Sequence, residues 1–109
     1  MELLQLQHGD MLLREGLPSP AFYIVKQGTL VALRAEAGLL VYHAGDVVGL
    51  ESAIDQRPSP FAVLANGAVE VLQIPIERFL ELEQQTPVEL RAIARHFLAQ
   101  SEHALRSPR

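Results

Sequence analysis

His8-Gly9-Asp10-Met11-Leu12-Leu13-Arg14 and, further along, Ala44-Gly45-Asp46-Val47-Val48 place one device at two points of the chain. In each, a glycine lets the backbone enter a conformation that a Cβ disfavours, an aspartate follows, and a short apolar run begins. Two such turns in a short chain suit the stacked layers of a roll and not a repeat array. Outward from them the pattern continues. Ala21 to Val25 follows Pro18-Ser19-Pro20, Thr29 to Leu33 follows Gln27-Gly28, and Leu39 to His43 follows Gly38. Phe61 to Leu64 follows Pro58-Ser59-Pro60, and Val69 to Ile74 follows Asn66-Gly67. Many short runs between turn residues predict an all-β sandwich or barrel. Gln27-Gly28 and Asn66-Gly67 each predict a hairpin. Prolines stand only at the margins of these runs, as strand edges require.

From Pro75 the texture changes to helix. Pro75 suits the first helical position, where its missing N–H is not needed. The segment Ile76 to Gln85 gathers Phe79, Leu80 and Leu82 on one side. Thr86-Pro87 with Glu89 reads as a capping box opening a second helix that runs to about Leu105. Leu90, Ile93, Ala94, Phe97, Leu98, Ser101 and Leu105 recur on it at helical spacing. That stripe needs a partner surface: the roll itself, or the same helix of a second copy in a homodimer.

Composition narrows the function. The chain has 109 residues, 49% of them apolar, enough for one domain with a core of its own. Its net charge is −4, and its nine basic residues are scattered. Nucleic-acid binding draws its affinity from basic side chains on one face, so no nucleic-acid partner is expected of this chain alone. The absence of cysteine excludes disulfides, thiolate metal sites and thiol nucleophiles. No signal peptide and no membrane-spanning run is present, which makes a cytoplasmic protein the expectation. His8, His43, His96 and His103 share no ligand spacing, so no metal site is read. No nucleophile–base order or phosphate loop stands out, so no catalytic residue is named and an enzyme is not expected.

In order, His8 to Gly16, Phe22 to Leu30, Ala44 to Gly49, and Val71 to Pro75 with Phe79 resemble successive elements of cyclic-nucleotide-binding domains. Gly49-Leu50-Glu51-Ser52-Ala53-Ile54 is similar to the effector domains of Crp/Fnr-type transcription regulators. The resemblance implies a mainly β (α+β) fold, a double-stranded β-helix or jelly-roll β-roll over 1–74 with C-terminal helices over 75–106. Residues 1–109 then form a single domain. It also implies a sensor or regulatory module whose ligand is a small-molecule effector, with a cyclic nucleotide as the candidate cofactor; a different small anion, a haem or no ligand at all would each fit the departed cassette as well. In those regulators a long dimerisation helix and a helix-turn-helix follow the roll, whereas here the sequence ends at Arg109, so a sensor without a DNA-reading part is expected.

The candidate ligand residues are Gly49, Leu50, Glu51, Ser52, Arg57 and Ser59. In the family pattern a Glu follows the glycine directly and receives the ribose hydroxyl, and an Arg grips the phosphate. Here Leu50 takes the Glu place, and Glu51 stands one residue late, a rotation of about 100° on a helix. Ser59 takes the Arg place, and Arg57 lies two residues earlier. The same reading leaves Glu51 and Arg57 open as exposed loop residues paired with each other. A ligand-free protein-interaction or dimerisation domain is the alternative function. A cupin-like enzyme, which shares the roll, is disfavoured because its His-x-His motif with a later Glu is absent.

Overall fold

Ala21–Arg34 forms one strand, and so does Val63–Pro75; these two long strands pair antiparallel and carry the fold. The computed structural model describes residues 1–34 and 38–96. Its elements are β1 (Glu2–Leu6), β2 (Met11–Leu13), β3 (Ala21–Arg34), β4 (Gly38–Tyr42), β5 (Val47–Val48), α1 (Leu50–Asp55), β6 (Val63–Pro75) and α2 (Ile76–Gln84). Residues 88–96 are also helical. The strands make one six-stranded sheet in the order β1-β6-β3-β4, with β2 on β6 and β5 on β3. The mainly β roll with helices at its C-terminal end stands as expected.

The two expected hairpins do not form. Gly28 and Gly67 have φ of +89° and +82°, yet each serves a bulge inside a continuous strand. The register passes from Val25↔Val71 to Gln27↔Glu70 and then to Thr29↔Asn66. Extra residues on each strand bend the ribbon there. The bulge also changes which positions face inward. Ala21, Tyr23 and Val25 belong to the first core, and beyond the bulge Leu30 and Ala32 do. Without the bulge, the even positions would turn outward.

The run Ala21 to Val25 is nearly unbroken in apolar character because both its faces are covered. Ala21, Tyr23 and Val25 join Leu13, Tyr42, Val48, Phe61, Val63 and Val71 in the first core. Phe22 turns the other way, into a second core with Val47, Leu50, Ala53, Ile74 and Ile76, and Phe79 packs on its ring edge at 5.3 Å between centroids. The helices therefore close the outer side of the sheet.

The paired Gly-Asp device is real in atomic terms. The Gln7 N–H donates to Asp10 Oδ2 at 2.8 Å, and the His43 N–H donates to Asp46 Oδ2 at 2.6 Å. The Asp10 and Asp46 N–H groups return bonds to the Gln7 and His43 carbonyls. Glu2–Leu6, for which no strand was read, is a strand on β6, with Leu4 and Leu6 leaning on the first core.

Three helical expectations need correction. Pro75 ends β6 and precedes α2, at φ −58° and ψ 140°, in place of starting the helix. Leu80 and Leu82 are exposed, while Ile76 and Phe79 face the second core. The Thr86 hydroxyl donates back to the Leu82 carbonyl at 2.8 Å, closing the end of α2.

Among residues 88–96 the amphipathic sense is reversed. Arg91 Nε donates to the Thr86 carbonyl, and Arg95 forks onto both carboxylate oxygens of Glu83 while lying over the Phe79 ring. Leu90, Ile93 and Ala94 are exposed, so this part of the stripe does not pack on the roll of its own chain. Phe97, Leu98, Ser101 and Leu105 lie outside the described residues. Among the described residues no helix is long and apolar enough to cross a membrane.

Candidate ligand-binding cassette

Gly49 opens the cassette. Its φ of +80° turns the chain from β5 into α1, and a Cβ there would stand 3.2 Å from Leu13 Cδ1. The roll of α1 about its axis is set by packing. Leu50 and Ala53 enter the second core beside Phe22, and Ile54 leans on it. Leu50 was counted among the candidate ligand residues; at 2% exposure it lies in the core instead. That choice brings Glu51 round to the cavity side, so the residue one place late in the sequence is the one that reaches the site.

Two adjoining cavities share Glu51, Ser52 and Pro60. The inner one, about 30 Å³, is bounded by Leu13, Tyr42, Gly49, Ser59 and Phe61 as well. That is room for one or two water molecules. Phe61, on its wall, is 5% exposed. The outer one, about 190 Å³, adds Arg57 and Pro58. Gly49, Glu51, Ser52 and Ser59 thus meet around the inner cavity, and Arg57 joins Glu51 and Ser52 around the outer one. Leu13, Tyr42, Pro60 and Phe61 are lining residues that sequence reasoning did not assign to the site. Leu13 and Tyr42 come from distant strands, and only the folding of the roll brings them there.

The returning loop is held by its own hydrogen bonds. Gln56 ends α1 at φ +53°, and its Nε2 donates to the Ala53 and Ser19 carbonyls. The Ser52 hydroxyl donates to the Arg57 carbonyl, and the Arg57 N–H to that of Ser52. Ser59 exchanges backbone bonds with the loop before β3. Its N–H donates to the Leu17 carbonyl at 3.0 Å, and its carbonyl accepts from the Gly16 N–H at 2.9 Å. The buried Ser59 hydroxyl donates to the Phe61 carbonyl at 2.7 Å. Buried polar groups without such partners cost free energy, and these have them. Ser59 is a brace for the loop, placed where the family pattern has its arginine.

Arg57 carries the positive charge of the site. Its side chain is 72% exposed, and Nη2 donates to Asp55 Oδ2 at 2.6 Å. The Asp55 hydrogen bond and charge, with Glu51 as a smaller contributor, hold the guanidinium pKa above its usual value. The pairing of Arg57 with Glu51 that the sequence left open is thus made with Asp55 instead. An ion pair this exposed is easily exchanged for another anion. The arrangement offers a carboxylate that can accept from sugar hydroxyls and a guanidinium that can receive a phosphate. No group of His, Asp and Glu able to hold a metal occurs among the described residues.

Known proteins share this fold. A cAMP-dependent protein kinase regulatory subunit of Hypocrea atroviridis is 28% identical over 82 residues, covering 75% of this chain and 18% of that protein. The corresponding subunit of Aspergillus fumigatus is 26% identical over 84 residues, covering 75% and 20%. The chain thus spans a fifth or less of the curated relatives it matches. The regulatory domain of Toxoplasma gondii PKA, solved with cAMP, superposes with a TM-score of 0.73 at 22% identity, over 91% of this chain and 39% of that one. A structure from work on a cyclic-GMP-dependent signalling pathway in bacterial phytopathogenesis superposes with a TM-score of 0.79 at 14% identity, over 91% and 82%. The sequence pattern of the cyclic nucleotide-binding domain matches residues 3–86, from the first strand through α2, and the chain belongs to that family.

Proposed function

We propose that this domain is a non-catalytic regulatory sensor, of the Crp/Fnr type suggested by Gly49 to Ile54, that takes a cyclic nucleotide against Glu51, Ser52 and Arg57. The observation that carries the reading is the outer cavity, on which one carboxylate and one guanidinium converge. Glu51 accepts the ribose hydroxyl, and Arg57 exchanges Asp55 for the cyclic phosphate. Because Arg57 must leave Asp55, binding is weaker than a ready-made anchor would give.

Titration calorimetry with cyclic AMP and cyclic GMP tests this. Saturable binding is expected with at least one of them. Arg57→Gln should weaken it about tenfold through loss of the charged fork. Asp55→Asn should tighten it by about threefold, since the competing exposed pair is gone. No heat and no thermal stabilisation with either nucleotide at about 1 mM would remove the reading.

The alternative, an interaction domain, is favoured by the outward face of residues 88–96, where Val88, Leu90 and Ile93 are each more than half exposed. In the proposed sensor this same face meets a second copy, and ligand state sets the geometry of the pair. Sedimentation equilibrium should then give a dimer that Leu90→Glu with Ile93→Glu converts to monomer. A monomeric parent protein at about 100 μM would exclude the seam.

A further inference from the structure

A third cavity is lined by β2, the loop that follows it and the start of β3. It measures about 210 Å³ and is bounded by Met11, Leu12, Arg14, Leu17, Pro20 and Tyr23, among others. Its lining mixes polar and apolar surface, and Met11 and Leu17, two of its apolar members, are each about half exposed. Two polar groups stand out against that lining.

Tyr23 is 92% buried by its 8% exposure, yet among the described residues its hydroxyl makes no hydrogen bond. A buried phenol nearly always has a partner, because leaving the hydroxyl dry and unpaired costs free energy. The neighbouring Ser19 hydroxyl is engaged with Ala21, donating to its carbonyl at 2.7 Å and accepting from its N–H at 3.3 Å. Arg14, on the rim, is exposed and forms no ion pair among the described residues. A guanidinium and a phenol without partners among the described residues, beside the apolar Met11, Leu17 and Pro20, are complementary to one kind of ligand.

We infer that this cavity is a second ligand site, which takes a small monocarboxylate with an apolar body. The carboxylate accepts from the Arg14 guanidinium and the Tyr23 hydroxyl, and the body lies against Met11, Leu17 and Pro20. The site shares Leu13 with the inner cassette cavity. It therefore adjoins the nucleotide site without using Glu51 or Arg57, and stands whether or not a nucleotide binds.

Benzoate and benzamide, titrated separately into the isotopically labelled full chain and followed by amide chemical shifts, test the assignment. Benzoate should shift the amides of residues 11–23 saturably, with Kd of about 1 mM or tighter. Neutral benzamide should bind about tenfold more weakly, as should benzoate to Arg14→Gln; Tyr23→Phe should lose about fivefold. Tyr23→Phe should also keep or raise the parent melting temperature, since its hydroxyl has no partner among the described residues to lose; a clear fall would reveal one and overturn the inference. Equal binding of benzamide, indifference to both variants, or no shift at about 20 mM would overturn it as well. So would shifts confined to residues 49–60, which would place the carboxylate in the cassette and leave the nucleotide reading standing.

Discussion

Gly28→Ala is expected to lower the thermal midpoint of this domain by about 15 °C, read by circular dichroism or scanning calorimetry. Two costs combine. The φ of +89° is one that an L side chain rarely adopts, and the new methyl carbon would stand 2.5 Å from the Ala68 carbonyl oxygen. A contact that short with backbone cannot be relieved by a rotamer change. Either the β3 bulge opens or β6 shifts, and both undo the pairing on which the core rests. The strain and the repulsion together amount to about 3 kcal/mol. Gly67→Ala is the control. Its φ is similar, but a Cβ there meets nothing within 4 Å, so a fall of about 5 °C is expected from backbone strain alone. Equal effects at the two sites would mean that the approach of β3 to β6 at Gly28 is looser than described.

Leu50→Glu restores, in sequence, the glutamate that the family pattern places after the glycine. The expected result is a damaged fold and no gain in nucleotide affinity. Leu50 is 2% exposed, between Phe22, Ala53 and Ile74 in the second core. An ionised carboxylate there has lost its water and stands among apolar side chains. The cost is at least about 3 kcal/mol, with the loss of the leucine packing added. Denaturant unfolding together with cyclic nucleotide titration reads both consequences. A variant of parental stability that bound nucleotide more tightly would show α1 to be rolled the other way, with Glu51 turned from the cavity.

These two sites also mark where the sequence stopped being legible. The turns at Asp10 and Asp46 were readable because their hydrogen bonds close within four residues, so local chemistry decides them. Gly28 and Asn66-Gly67 carry equally good turn chemistry, yet they make bulges. A positive φ serves a hairpin or a bulge alike, and the choice falls to pairing between β3 and β6 across the whole chain. Glu51 is similar. Counting positions from Gly49 set it beside the expected place, but the side of α1 that meets Phe22 decides which residue faces the cavity. Asp55 drew no attention because its role rests on the helix ending at Gln56, which folds Arg57 back to it. Residues 88–96 gave their apolar spacing plainly; that their arginines would turn inward depended on Glu83 and Phe79 being placed to receive them.

The position of β6 has a consequence for how the chain reaches this state. It is the last strand among the described residues, and β1, β2 and β3 all take it as neighbour. A chain emerging from the ribosome holds most of its sheet in solution before that common partner exists. Until Pro75 is clear of the exit tunnel, the earlier strands present open edges and apolar faces, the condition in which nascent β proteins associate wrongly. Closure must then come late and nearly all at once, governed by contacts between segments far apart in the chain.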